Sequence, residues 1–197
     1  MENLTQMTDD KLVSLYIGGN NSAFDVLLNR HKDRLFYYIY FIVRSKEVAE
    51  DIFQETFVKA IIKLQEGRYQ PDGKFAAWIT RIAHNLVIDQ FRQERNENLV
   101  SNDETEVDLL NNAALAEGTI ENRLVNEQVL CDVRSLVNEL PDCQREVVYM
   151  RYYQQLSFKE ISDITGVSIN TALGRMRYAI LNMRRIAADK KISLVLE

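Results

Sequence analysis

The chain has 197 residues, with 24 Lys and Arg against 29 Asp and Glu, which gives a formal net charge of −5. Hydrophobic residues make up 46% of the sequence and charged residues 27%, the balance of a globular protein that buries a core. With 7 Gly and 2 Pro, the sequence is too poor in turn residues for a β-sandwich or a β-barrel. Its apolar runs are far shorter than the ~20 residues of a membrane span, and the segment MENLTQMTDD has no leader features, so we expect a cytoplasmic protein. Cys131 and Cys143 match neither a disulfide framework nor the ligand spacing of a zinc site.

The first half of the chain is predicted to form amphipathic helices. Apolar residues recur at intervals of three and four, and no segment shows the period of two that is typical of a strand. Capping residues and glycines mark where each helix begins or ends. The predicted helices are a short one from Asp9 to Gly18, a second over residues 22–43, a third that Ser45 caps and that continues to Leu64, and a fourth from Phe75.

The third and fourth helices each leave a polar face opposite their apolar residues. On pattern alone, exposed carboxylates of this kind are most simply a solvated helix surface. Trp78 is most simply a core residue, and His31 and His84 have no metal-ligand spacing around them. The exposed polar residues are Asp51, Gln54 and Glu55 on the third helix and Arg81, Asn85, Asp89 and Arg92 on the fourth.

The charge distribution divides the chain into three parts. Residues 1–98 have 13 basic and 14 acidic side chains, residues 99–122 have no basic and six acidic ones, and residues 123–197 have 11 and 9. The middle part is also rich in Asn, which is typical of a solvated acidic linker. We therefore predict helical domains over 1–98 and 123–197, the second with helices ending near Leu140 and beginning at Pro141.

The last part of the chain contains a predicted helix-turn-helix. Ser157 and Glu160 fit a capping box, Gly166 permits the positive φ of a tight turn, and Ser168 caps the helix that follows. Polar side chains at the start of that helix suit base edges and the basic residues behind them suit phosphates, which favours DNA binding over an ordinary helical hairpin. The residues expected to face DNA are Ser168, Asn170, Thr171, Gly174, Arg175 and Arg177.

Three segments together resemble the extracytoplasmic-function (ECF) sigma factors of bacterial RNA polymerase, of the sigma-70 family. They are VAEDIFQETFVKA (48–60), FAAWITRIAHNLVIDQFRQER (75–95) and the stretch from LPDCQREVVYM to NMRR (140–185), in the family's order and spacing. The resemblance implies an all-α fold with a sigma-two and a sigma-four domain and no sigma-three domain between them. It implies core RNA polymerase (beta-prime clamp and beta flap) and promoter DNA as partners, no cofactor, and leaves open an anti-sigma factor.

The resemblance also assigns roles by position. Asp51, Gln54 and Glu55 match the face that docks on the beta-prime clamp, which overturns the interpretation as a solvated surface. The helix from Ser168 to Arg177 matches the reader of the minus-thirty-five element, although Leu173 and Gly174 stand where many members have Lys and Ser. Trp78, Arg81, Asn85 and Arg92 match the segment that opens the minus-ten element and captures a flipped base, with His84 where Arg is common.

Two other functions are weighed against a promoter-specificity subunit. A stand-alone helix-turn-helix regulator would need a ligand-sensing and dimerising domain in residues 1–98 and would bind its operator tightly without polymerase. An enzyme with an appended DNA-binding module would need catalytic residues. The sequence contains no P-loop, G-x-G-x-x-G, H-E-x-x-H or nucleophile-elbow motif, so we expect a protein that is not an enzyme.

Overall fold

The computed structural model describes residues 4–101 and 135–192, with side chains described to residue 96 in the first range. All regular structure in these two ranges is helical, which confirms the predicted all-α fold class. The described residues belong to two compact units, one built from the helices of the first range and one from those of the second. After a 3₁₀ turn at Leu4–Gln6, the helices are α1 (Asp9–Ile17), α2 (Asn21–Val43), α3 (Lys46–Gln65), α4 (Phe75–Ser101), α5 (Asp142–Tyr152), α6 (Phe158–Thr165) and α7 (Ile169–Asp189).

The first unit is built around α2, which contacts α1, α3 and α4, while α3 also packs on α4. The predicted boundaries hold: the Ser45 hydroxyl accepts a hydrogen bond from the Val48 amide at the start of α3, and Gly18 follows the last residue of α1. The apolar stripes predicted from the sequence meet between the helices. Residues of this core with almost no exposed surface are Leu12, Leu27, Leu35, Tyr38, Ile39, Ala60, Leu64, Phe75 and Ile79.

The second unit packs α5 and α6 against α7. Residues 135–138 are helical, and Leu136 and Val137 are buried. Pro141 is the residue directly before α5. Its carbonyl accepts hydrogen bonds from the amides of Gln144 and Arg145, each 2.9 Å long, which are the first bonds of the helix. Pro141 therefore occupies the cap position and not the predicted first turn. The N–H of a cap residue forms no hydrogen bond within the helix, so proline is tolerated there too.

Several sequence predictions fall on residues 102–134 and so lie outside the described residues. These include most of the predicted acidic linker (99–122), the apolar positions before residue 135 and Cys131. The backbone of α4 continues to Ser101, and Cys143 is exposed at the start of α5 with a free thiol.

Candidate protein and nucleic-acid interfaces

The polar face predicted on α3 is formed by three exposed side chains. Asp51, Gln54 and Glu55 fall within a roughly 100° sector of the helix surface, given 3.6 residues per turn. The opposite side of α3 is buried, so the face is held in a fixed direction by the core. Glu55 forms an ion pair with Lys59 one turn further on, with an N–O distance of 2.8 Å. The structure thus places the three predicted residues together on one solvent-facing surface.

Two apolar residues that the sequence analysis missed belong to the same sector of α3. Val58 is 55% exposed and Ile62 48% exposed, and they lie one helical turn apart between the directions of Gln54 and Glu55. The two side chains together form a small exposed apolar area beside the polar residues of this sector. The available signal was that neither residue fits the inward stripe of α3.

A second face lies on α4 and contains the four predicted residues of this helix. Trp78, Arg81, Asn85 and Arg92 fall within a roughly 80° sector and extend over about 21 Å of helix. Arg81, Asn85 and Arg92 are exposed, whereas Trp78 is half-buried. Asp89 lies in the same sector and forms an ion pair with Arg92 at 3.5 Å, which lowers the positive charge at that end of the face.

Trp78 is fixed by aromatic neighbours at the start of α4. Its ring centroid lies 5.1 Å from that of Tyr69 and 5.6 Å from that of Phe75. The Trp78 ring therefore packs against other aromatic side chains, as the sequence pattern predicted, and it also lies on the α4 face. His84, by contrast, is buried and its Nδ1 lies 3.3 Å from the Tyr38 hydroxyl of α2. It points away from the face that its neighbour Asn85 shares.

The turn between α3 and α4 is attached to α1 through Asp10. The Asp10 carboxylate accepts a hydrogen bond from the Tyr69 hydroxyl at 2.5 Å and another from the Gly73 amide at 2.8 Å. Burial and the negative charge of Asp10 raise the pKa of Tyr69 well above its ordinary value, so the hydroxyl stays protonated as a donor. Because Tyr69 packs on Trp78, this attachment positions the start of the α4 face. No local sequence signal links residues 59 positions apart.

The predicted helix-turn-helix is formed by α6 and α7. The Ser157 hydroxyl accepts a hydrogen bond from the Glu160 amide, and the Glu160 carboxylate accepts one from the Ser157 amide, so the capping box is complete. Gly166 has φ of 70°, a conformation that disfavours residues with a side chain. Asn182 of α7 donates a hydrogen bond to Gln144 of α5 at 2.8 Å. These contacts hold α7 with one long side facing solvent.

The residues predicted to face DNA on α7 have different surroundings. Asn170 and Arg177 are exposed, and Gly174 and Arg175 are half-buried. Ser168 and Thr171 are exposed as well, but their hydroxyls lie 2.9 Å apart and the Ser168 oxygen also accepts the Thr171 amide hydrogen bond at 3.0 Å. Both hydroxyls thus serve the helix cap, whereas the side chains of Asn170 and Arg177 are exposed on the same helix.

Within residues 4–101 and 135–192, no group of His, Cys, Asp and Glu side chains is arranged to hold a metal ion. In the same ranges, no helix has both the length and the apolar content needed to cross a membrane.

Comparison with known proteins identifies both halves of the chain. The family model described as Sigma-70 region 2 matches residues 27–97, and the one described as Sigma-70, region 4 matches residues 132–175. The ECF RNA polymerase sigma factor SigW of Bacillus subtilis is 27% identical over 174 residues, which cover 87% of this chain and 92% of that protein. The ECF RNA polymerase sigma factor BldN of Streptomyces coelicolor is 31% identical over 180 residues, 91% of this chain and 66% of that protein.

Two solved structures share the fold. The structure of CnrH in complex with the cytosolic domain of CnrY has a TM-score of 0.63 and 24% identity, covering 92% of this chain and 97% of that chain. The sigma factor RpoE of Bartonella quintana, solved with the anti-sigma factor NepR, has a TM-score of 0.63 and 21% identity, covering 84% and 96%. At these identities the likeness concerns the fold alone.

Proposed function

Because the chain belongs to the ECF sigma factors of the sigma-70 family, we propose that it binds core RNA polymerase and directs it to specific promoters to initiate transcription. The observation that carries this proposal is the presence of regions 2 and 4 in order on one chain, each with an exposed face of the expected chemistry. A stand-alone regulator would not need the α3 face. We expect a binding subunit, not an enzyme, that acts in the cytoplasm with the polymerase.

We assign core binding to the α3 face. Asp51, Gln54 and Glu55 supply charged and polar contacts, and Val58 and Ile62 supply apolar area that loses contact with water on docking. The partner surface expected from the resemblance is the beta-prime clamp of the polymerase. Exposed charge at the rim of such a contact mainly affects association and specificity, while the apolar pair adds affinity.

Promoter opening is assigned to the α4 face. Arg81 and Arg92 suit phosphates, Trp78 offers a ring edge, and Asn85 has both a donor and an acceptor for the edge of an extruded base. Extrusion costs a few kcal/mol of stacking and pairing, and hydrogen bonds from the Asn85 amide offset part of that cost. The Asp10 attachment positions Trp78 at the start of this face.

Upstream recognition is assigned to α7, with Asn170 and Arg177 as base- or phosphate-contacting residues and the beta flap as the second contact on the polymerase. We propose the domain limits 1–98 and 123–197, joined by the acidic segment 99–122. The same exposed surfaces are where an anti-sigma factor would compete, if the chain is regulated by one.

Transcription with purified core polymerase tests the proposal. Fragmented genomic DNA of the source bacterium is the template, and the 5′ ends of the transcripts are sequenced. We expect a defined set of start sites that core polymerase alone does not produce. The absence of any such transcript would refute the proposed function.

A matched pair of variants tests the assignment of the α3 face. Asp51→Arg with Glu55→Arg should lose retention on immobilised core polymerase and lose transcription, since both carboxylates are exposed and their removal leaves the fold intact. Asp25→Arg with Asp33→Arg makes the same change in net charge on the exposed side of α2 and should retain both activities. Equal retention by the two double variants would contradict the assignment.

A further inference from the structure

The outward side of α7 contains an unexpected apolar residue. Leu173 is 44% exposed, as is Ile169 one turn before it, whereas the core side of the helix is formed by Ala172, Met176 and Ala179. Leu173 shares a roughly 60° sector with Asn170 and Arg177, three residues before it and four after it. It therefore lies within the group of side chains that the proposed function directs toward DNA.

Gly174 leaves one edge of the outward side of α7 open. A Cβ at Gly174 would meet no atom within 4 Å, so no neighbour in the protein requires glycine at this position. Glycine in a helix interior destabilises the helix relative to alanine, and at this position it leaves room for a molecule that approaches from outside. On the helix surface Gly174 lies about 40° beyond Asn170, so this edge of the outward side has no side chain to hold a groove wall away.

The chemistry of the major groove restricts what Leu173 can contact. Guanine, adenine and cytosine present hydrogen-bonding groups there, and a leucine against them would bury polar atoms without partners. Thymine adds a 5-methyl group, which is the apolar feature that aliphatic side chains contact. The capping role of the Ser168 and Thr171 hydroxyls further reduces the polar groups available at this end of α7.

We propose that Leu173 is a specificity-determining residue that contacts the 5-methyl group of a thymine in the upstream promoter element. The inference rests on the proposed function, because it requires α7 to lie in the major groove.

The test uses holoenzyme reconstituted from core polymerase and the full chain. Promoters with a randomised upstream element are selected for binding by the wild type and by Leu173→Ala. We expect a thymine preference at one position with the wild type that the variant lacks. Each selected thymine is then replaced by deoxyuridine, which removes only the methyl group. At that position the wild type should bind about fourfold more weakly, the effect of one buried methyl, while Leu173→Ala should show no change.

Matched controls separate the possible outcomes. Ile180→Ala removes another partly exposed apolar side chain, two turns further along α7, and should keep the wild-type response to deoxyuridine. Circular dichroism checks that both variants remain folded. If deoxyuridine affects the wild type and Leu173→Ala equally at every position, the methyl contact is refuted while the role of α7 stands. If Asn170→Ala and Arg177→Ala also leave upstream binding unchanged, the assignment of α7 fails and the methyl contact fails with it.

Discussion

Replacing Asp10 with alanine removes both hydrogen bonds that attach the α3–α4 turn to α1. The carboxylate accepts one from the Tyr69 hydroxyl at 2.5 Å and one from the Gly73 amide at 2.8 Å. A hydrogen bond to a charged group contributes about 1.5–3 kcal/mol, and the partly exposed position of Asp10 favours the lower end of that range. The expected loss is therefore about 3 kcal/mol, a large part of the ~5–15 kcal/mol that stabilises a typical domain.

Trp78 provides a local signal for this measurement. It is the single tryptophan of the chain, and its ring lies 5.1 Å from that of Tyr69. Urea unfolding followed by tryptophan fluorescence therefore reports on the first unit at the affected turn. Tyr69→Phe removes one of the two hydrogen bonds and should lose about half as much stability as Asp10→Ala. Asp25→Ala, an exposed aspartate on α2, is the control and should change stability by less than about 0.5 kcal/mol.

The same variant should affect promoter opening. Since Tyr69 packs on Trp78, release of the turn loosens the start of the α4 face, and we expect weaker permanganate reactivity of unpaired thymines at a temperature where Asp10→Ala is still folded. Retention on core polymerase should not change, because the α3 face is separate. If Asp10→Ala and Asp25→Ala unfold at the same urea concentration and open promoters equally well, the proposed attachment has no energetic role.

Three further predictions concern other parts of the chain. Asn85→Ala should reduce permanganate reactivity more than initial promoter binding, and normal opening by this variant would remove Asn85 from the site. Burial raises the pKa of Asp9, but the hydrogen bonds and charges of His31 and Arg30 outweigh it and leave the pKa below its ordinary value of 3.8. The stabilisation from Asp9 is therefore present above pH 4 and lost as the pH falls through the lowered pKa, so acid unfolding of the wild type should be steeper than that of Asp9→Asn. Gly174→Ala should increase the free energy of unfolding by up to ~1 kcal/mol and so raise the melting temperature, yet it should weaken upstream DNA binding by the holoenzyme. Unchanged binding would show that nothing approaches Gly174 closely.

The sequence by itself determined where the helices lie and which residues cap them. Ser45, Ser157 and Gly166 act over a single helical turn, so their roles follow from local spacing, and the structure confirms them. The exposure of Asp51, Gln54 and Glu55 follows for the same reason, because a 3.6-residue period separates a buried stripe from a solvent-facing one. Family membership was also accessible from the order of the motifs along the chain.

Only the tertiary structure decided which polar groups meet across the fold. The attachment of Tyr69 and Gly73 to Asp10 and the burial of His84 against Tyr38 depend on how helices distant in sequence pack together. Likewise, the extent to which apolar residues outside the inward stripes, such as Val58 and Leu173, are exposed follows from the rotation of α3 and α7 about their axes. Helical periodicity is set by the backbone within one turn, whereas that rotation is set by the packing of whole helix faces, which no single segment contains.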